Sequence, residues 1–409
     1  MSIEPRRGLL LPRGVDPGAA PMLVSRGLRA LADGWVAVLL PSYLLALGHS
    51  TLAVGVVSTA TLLGSALATL AVGAWSHRVG SVRLLKWAAL LMAATGLCFA
   101  AFSSFWPLLL VAFVGTLNPS SGDVSVFLPL EQTQLAGAAQ GPARTSLFAR
   151  YSLLGALCAA VGSLAAGLPE WLGTRASVAP IDVMRGMFLV YGAIGLAVWA
   201  LYRRLPRHSA AAAAPPSALG PSRGIVVRLA ALFCVDSFAG GLVVNSLLSL
   251  WLLQRFGLSA AQAGVYFFWA GLLSAGSQLA APWVARRIGL LNTMVFTHIP
   301  ANVCLMLAAI TPNLTLALTL LLLRSALSQM DVPTRTAYVM GVVTPPERAA
   351  AASFTAVPRS LAAALSPTLS AALLATGWLA LPLLVCGALK IGYDLALWRA
   401  FRRQPPPGE

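Results

Sequence analysis

The sequence predicts an all-α polytopic membrane protein, with about twelve transmembrane helices in two pseudo-symmetric six-helix bundles. Composition points there first. Of 409 residues, 58% are hydrophobic and 10% charged, whereas a soluble domain carries roughly a quarter charged residues. Apolar runs of about 20 residues then recur along the chain, the length a helix needs to cross a bilayer. Finally, the two halves share one register. A spanning β-barrel would alternate polar and apolar positions, and these runs are apolar nearly all round.

Candidate spans fall at 25–47, 52–74, 84–103, 107–128, 145–168, 186–205, 228–253, 260–283, 290–311, 314–337, 350–375 and 378–398. The fourth, tenth and eleventh carry charge and proline. The first has no small-residue cleavage site and is followed by further spans, so it reads as a retained helix rather than a signal peptide. Residues 206–227, PRHSAAAAAPPSALGPSRGIVV, are Pro/Ala/Ser-rich and read as a linker. The expected organisation is an N-terminal six-helix bundle over 1–205, a cytoplasmic linker over 206–227 and a C-terminal bundle over 228–409.

The net charge of +16 invites a nucleic-acid reading, which the placement of the charge argues against. With a cytoplasmic N-terminus, only Arg175, Arg185 and Arg255 fall in external loops; the other side collects Arg6, Arg7, Arg13, Arg26, Arg78, Arg83, Lys86, Arg203, Arg204, Arg207, Arg223, Arg286, Arg287, Arg348, Arg402 and Arg403. This is the positive-inside pattern, with both termini cytoplasmic, and membrane lipid is the expected partner of the basic side chains. The alanine- and arginine-rich composition points to a bacterial inner membrane. The five cysteines sit inside spans without metal-ligand spacing. Four scattered histidines and two lysines leave no metal site, phosphate loop or catalytic constellation. No cofactor is expected, the protein is not expected to be an enzyme, and a monomer is expected.

The halves repeat. Gly48-His-Ser50-Thr-Leu-Ala-Val-Gly55 aligns with Gly257-Leu-Ser259-Ala-Ala-Gln-Ala-Gly264, and a further glycine follows each 25 residues later, Gly80 and Gly289. At the same offset of 209, Ser65 meets Ser274, Arg78 meets Arg287 and Arg150 meets Arg359. Related halves are a common build in secondary transporters, with the substrate site between them near the midplane.

The loop after the second span, Gly73-Ala-Trp-Ser-His77-Arg78-Val-Gly80-Ser-Val-Arg83, resembles the signature loop of the major facilitator superfamily, G-x-x-x-D-R-x-G-R-K/R. Its second copy is Pro282-Trp-Val-Ala-Arg286-Arg287-Ile-Gly289. The resemblance covers essentially the whole chain. It implies alternating access of two bundles around a cavity lined by helices 1, 4, 7 and 10, and transport of a small-molecule substrate. His77 stands where the family carries an aspartate that helps hold the halves together on the cytoplasmic side. Ser366-Pro367 with Ala362, Ser370 and Ala371 on helix 11 loosely echoes the small-residue/proline motif of the family's antiporters. Their helix-5 proline is missing here, although Gly155 and Gly162 remain.

Charges inside a membrane cost about 2.5–3.5 kcal/mol each even on the lenient insertion scale. Four aspartates fall one each on helices 1, 4, 7 and 10: Asp33, Asp123, Asp236 and Asp331. Arg29 and Asp33, four apart, either pair with each other or handle protons or substrate. Glu131 near Arg150, and Asp331 with Arg335 near Arg359, read as gating or structural ion pairs. Asp236 has no base three or four positions away. It is expected either to load and release a proton or to pair with a residue distant in sequence. Arg324, Ser328, Asp331 and Arg335 follow i, i+4, i+7, i+11 and so share one helical face. Arg324 either holds an anionic substrate group or neutralises Asp33 or Asp236. Asn118-Pro119-Ser120-Ser121-Gly122 predicts a kink or unwinding of helix 4, and Asn118 and Asn245 complete the cavity set. The function expected is secondary active transport, proton-coupled, as efflux or as nutrient uptake. A sensor or scaffold without turnover is the alternative from another class.

Overall fold

A computed structural model describes residues 11, 14–120, 125–205 and 219–403. Asp123, Ser121 and Gly122, residues 206–218 of the expected linker, and the side chains of His77 and Arg78 lie outside the described residues.

The N-terminal half comprises α1 (Ala20–Ala46), α2 (Thr51–Val79), α3 (Ser81–Ala101), α4 (Phe105–Val114), α5 (Phe127–Ala138), α6 (Gly141–Leu164), the short α7 (Leu168–Ala176) and α8 (Pro180–Arg203). The C-terminal half comprises α9 (Arg223–Gly241), α10 (Asn245–Phe256), α11 (Ala260–Ile288), α12 (Leu290–Ile310), α13 (Leu314–Ser328), α14 (Asp331–Val342), α15 (Arg348–Ala375) and α16 (Leu381–Phe401). Crossings 4, 7 and 10 are each made of two helices: α4 with α5, α9 with α10, α13 with α14. Crossing 4 reaches to Ala138 rather than stopping at 128, and α9 begins at Arg223, inside the stretch read as linker.

The pseudo-symmetry is visible in the elements themselves. α2 and α11 have 29 residues each, α3 and α12 have 21 each, and both pairs start 209 positions apart. The turns between them are made by Gly80 at φ 83° and Gly289 at φ 85°. A side chain is strained in that region, which explains glycine in both copies.

Among the described residues, nine segments are long and apolar enough to span a membrane by themselves. α11 and α15 are not among them; they pack against α6 and α2 of the other half. The outer surface is apolar: Trp106 and Trp378 are 75% and 73% exposed, with Trp75, Trp87, Trp171 and Trp283 also exposed toward helix ends. That is the interfacial aromatic pattern of a membrane protein.

The halves meet on the side away from the chain ends. Gly55 on α2 lies against Pro367 and Ala371 of α15, and Thr368 donates through Oγ1 to Thr59 Oγ1 at 2.8 Å. Gln254 donates to Thr51 Oγ1 at 2.7 Å, and Ser249 to the Val38 carbonyl at 3.0 Å. Ser163 on α6 donates to the Gly264 carbonyl of α11 at 2.9 Å. Small residues let these backbones approach closely, as apolar driving force alone is weak between helices in lipid.

Candidate functional site

The three broken crossings position the site. Pro119 cannot donate to a helical ladder, and the Asn118 side chain accepts from the Ser120 backbone N–H at 3.1 Å and hydroxyl at 2.8 Å, turning the chain out of α4. The unwinding expected of crossing 4 is therefore present. The Pro119 carbonyl then accepts the backbone N–H of Ser246, at the start of α10, at 3.0 Å. Asn245, half-buried, opens that helix. Crossing 10 breaks at Gln329-Met330, between Ser328 and Asp331. The continuous face expected for Arg324, Ser328, Asp331 and Arg335 is thus interrupted.

In the N-terminal half the charges converge on Glu131, fully buried on α5. Arg29 of α1, Tyr151 of α6 and Tyr202 of α8 all donate to its carboxylate, Tyr202 at 2.5 Å. The Arg29 guanidinium also stacks 4.1 Å above the Phe127 ring. This corrects two expectations. Arg29 pairs with Glu131 rather than with Asp33, because the carboxylate on α5 accepts directly from its guanidinium. Glu131 is held by these three donors, while Arg150 is exposed on α6. Asp33 is buried one turn beyond Arg29, and no hydrogen bond or ion pair joins it to a described residue.

In the C-terminal half Asp236 on α9 accepts from Lys390 of α16 at 2.6 Å and faces Arg335 of α14 at 3.3 Å. Arg335 also pairs with Asp331 one turn away and stacks over Phe233 at 5.3 Å. The distant-partner alternative for Asp236 is the one realised, so the expectation of a partnerless acid fails: its partner lies 154 residues away. The Asp331–Arg335 pair occurs as expected, with Arg359 half-buried in the field of Asp236 and Asp331. Arg324 is neutralised by neither Asp33 nor Asp236; its Nε is buried without a hydrogen-bond partner.

Two groups were invisible to the sequence reading. His298 of α12 holds Asp394 of α16, with Nδ1 3.0 Å from each carboxylate oxygen. Lys390, one turn before Asp394, carries the other buried charge of that helix. A sequence signal existed, since Lys390 and Asp394 are charges inside an apolar span.

The remaining candidates sit apart from these clusters. Gly73, Arg83 and Arg287 are exposed at the turns of the signature loop and its copy, Arg287 over the Trp283 ring at 4.4 Å. A cleft of about 280 Å³ opens between α2, α3 and the break in crossing 4, lined mainly by Trp75, Leu84, Trp87 and Leu91 with Ser65 and Thr116. None of its lining residues is charged.

The sequence pattern of the Major Facilitator Superfamily matches residues 22–330. The chain belongs to this family of membrane transporters. An uncharacterized membrane protein of Saccharomyces cerevisiae is 22% identical over 406 residues, covering 90% of this chain and 91% of its own length. The xylose transporter XylE from E. coli, solved inward open, is 14% identical at a TM-score of 0.74, covering 96% of this chain and 98% of that one. The human organic anion transporter TETRAN is 20% identical at a TM-score of 0.64, covering 94% and 99%.

Proposed function

We propose that the protein is a secondary active transporter that carries a small solute across the bacterial inner membrane by alternating access, coupled to protons. The observation that supports this best is the placement of two buried charge clusters, around Glu131 and around Asp236, one in each half, on either side of an interface where small residues and hydroxyls let helices of the two halves approach closely. The bundles rock about that interface. In this reading the side bearing the chain ends is cytoplasmic, and the site opens toward it. Solved relatives that share the fold handle xylose in one case and organic anions in another; the scaffold serves efflux and uptake alike.

Asp33 is the proton carrier in this reading. It is the buried acid of the N-terminal half that no ion pair occupies among the described residues, so a proton can bind and leave without dismantling a structural pair. Asp236, held between two cations, serves instead to lock α9 to α14 and α16. The test is proton movement in proteoliposomes containing a pH-sensitive dye, with solutes added outside. Wild-type protein is expected to couple solute addition to acidification or alkalinisation, and Asp33→Asn to lose the proton signal while retaining solute exchange. An unchanged proton signal in Asp33→Asn would remove Asp33 from the mechanism.

A further inference from the structure

We propose that the solute is an anion, a small soluble molecule bearing a carboxylate or phosphate group, and that Arg324 is the residue that binds that group. The proposal rests on the transport reading above and names the substrate class of the same site.

Arg324 lies on α13 five residues before the break in crossing 10, well inside the helix pair Leu314–Val342. A guanidinium does not lose its charge by deprotonation inside a protein. Its Nε is buried and makes no hydrogen bond, and no ion pair joins Arg324 to a described acid. The other cations in the interior of this half are differently placed. Lys390 holds Asp236, Arg335 bridges Asp236 and Asp331, and Arg359 sits in the field of both acids. Asp394 is held by His298. Whatever the state of that histidine, the four cations Arg324, Arg335, Arg359 and Lys390 outnumber the three acids Asp236, Asp331 and Asp394, so one positive charge is uncompensated, and neither Arg324 nor Arg359 makes an ion pair with a described acid; of the two, Arg324 has its Nε buried without a hydrogen bond.

The side chains near it include the Tyr266 phenol of α11 and the Cys386 thiol of α16, neither of them a carboxylate. A neutral or cationic solute would leave this charge uncompensated among apolar helices, which is costly. A carboxylate or phosphate supplies the missing charge, and its planar pair of oxygens matches the guanidinium fork. Crossing 10 is broken just beyond Arg324, so movement of α13 against α14 is coupled to the group it holds.

The experiment is thermal unfolding of the purified full chain in detergent. The probes are benzoate, succinate and phenyl phosphate, each beside an uncharged counterpart: benzamide, succinamide and phenol. At least one anion is expected to raise the unfolding temperature where its counterpart does not. Arg324→Gln should weaken that anion by roughly 10- to 100-fold, the worth of a charge-assisted hydrogen bond. Arg324→Lys, a point charge without the fork, should retain part of the affinity, and exposed Arg255→Gln all of it. If no anion shifts the wild type, if counterparts shift it equally, or if Arg324→Gln responds like wild type, the proposal fails. Should Arg324→Gln not fold, Arg324→Lys and the wild-type comparison decide it. A shift with phosphatidylglycerol vesicles alone would assign the site to a lipid headgroup and overturn the soluble-solute claim. Flux of the same anion into proteoliposomes judges the transport reading separately. Binding without flux overturns that reading and leaves the anion site standing, whereas flux of an uncharged solute with no anion response does the reverse.

Discussion

Ser246 donates its backbone N–H to the carbonyl of Pro119 at 3.0 Å, joining the break in crossing 4 to the break in crossing 7. Unwinding a helix at membrane depth frees polar backbone groups that lipid cannot satisfy. Here the carbonyl exposed by one break is met by an N–H in the first turn after the other. The Ser246 hydroxyl extends the contact to Ser58 at 3.2 Å. The two halves are therefore tied at mid-depth by irregular backbone, the part of the chain with most freedom to change conformation.

The pairing of Asp236 with Lys390 and Arg335 predicts a large single-mutant cost. Asp236→Asn should lower stability by about 3–5 kcal/mol, because buried Lys390 loses its partner and Arg335 keeps only Asp331. Asp236→Asn combined with Lys390→Met should recover part of that loss. Chemical denaturation of the two variants beside wild type checks the pair, and equal losses in both would show that Lys390 is not the partner that matters.

Around Glu131 a graded series is expected. Glu131→Gln leaves Arg29 buried and unpaired, at about 3 kcal/mol or more. Tyr202→Phe removes one donor to a carboxylate that keeps two others, at about 1.5–3 kcal/mol. Unfolding measurements that reversed this order would remove Arg29–Glu131 from the centre of the cluster.

Glu347 predicts an acid-sensitive contact on the side of the chain ends. It accepts from Thr344 Oγ1 at 2.7 Å, from the Ser222 N–H at 3.2 Å and from the Gly220 N–H, fastening the start of α9 to the turn before α15. Hydrogen bonds from Ser222 and Thr344 hold its carboxyl at about 2, below the ordinary 4.5. A lowered folded value means the stabilisation is complete above about 4.5 and is lost as pH falls toward 2. Thermal unfolding of wild type should therefore fall more steeply over that window than that of Glu347→Gln, and parallel curves would contradict the contact.

Gly55 and Gly264 predict a conformational bias. A Cβ on Gly55 would stand 2.7 Å from the Pro367 carbonyl, and one on Gly264 would collide with the Ser163 carbonyl. Gly55→Val and Gly264→Val should favour separation of the halves on that side and raise the labelling of Ser246→Cys by a water-soluble maleimide. Gly34→Val, whose Cβ would strike Ala159 within the N-terminal half, should destabilise the protein without that rise.

The helices and their repeat were legible because apolar length and the paired glycines Gly80 and Gly289 are local properties of the chain. The break in crossing 4 was legible from Asn118-Pro119, but the breaks at 242–244 and 329–330 lack proline and were not. At the first of these, the Leu242 carbonyl accepts from Ser370 of α15 at 2.6 Å, a contact between helices that sequence spacing does not report. Charge was legible by kind and by crossing, not by partner. Arg29 and Asp33 are neighbours on one helix, yet Arg29 turns to Glu131 across 102 positions. Asp236 looked isolated because its partner Lys390 stands on the last helix, and His298–Asp394 was missed for the same reason. Sequence spacing reports pairs within a helix; bundle packing decides pairs between helices.

If the two halves rock against each other around these clusters, paired spin labels will report it, with one pair at Ser50 and Thr376 on the side where the halves meet and the other at Thr133 and Thr336 on the opposite side, all four exposed. In proteoliposomes each pair should show two distances, the first lengthening as the second shortens when pH or an added anion shifts the balance. A single unchanging distance for both pairs under every condition would mean that the halves do not rock.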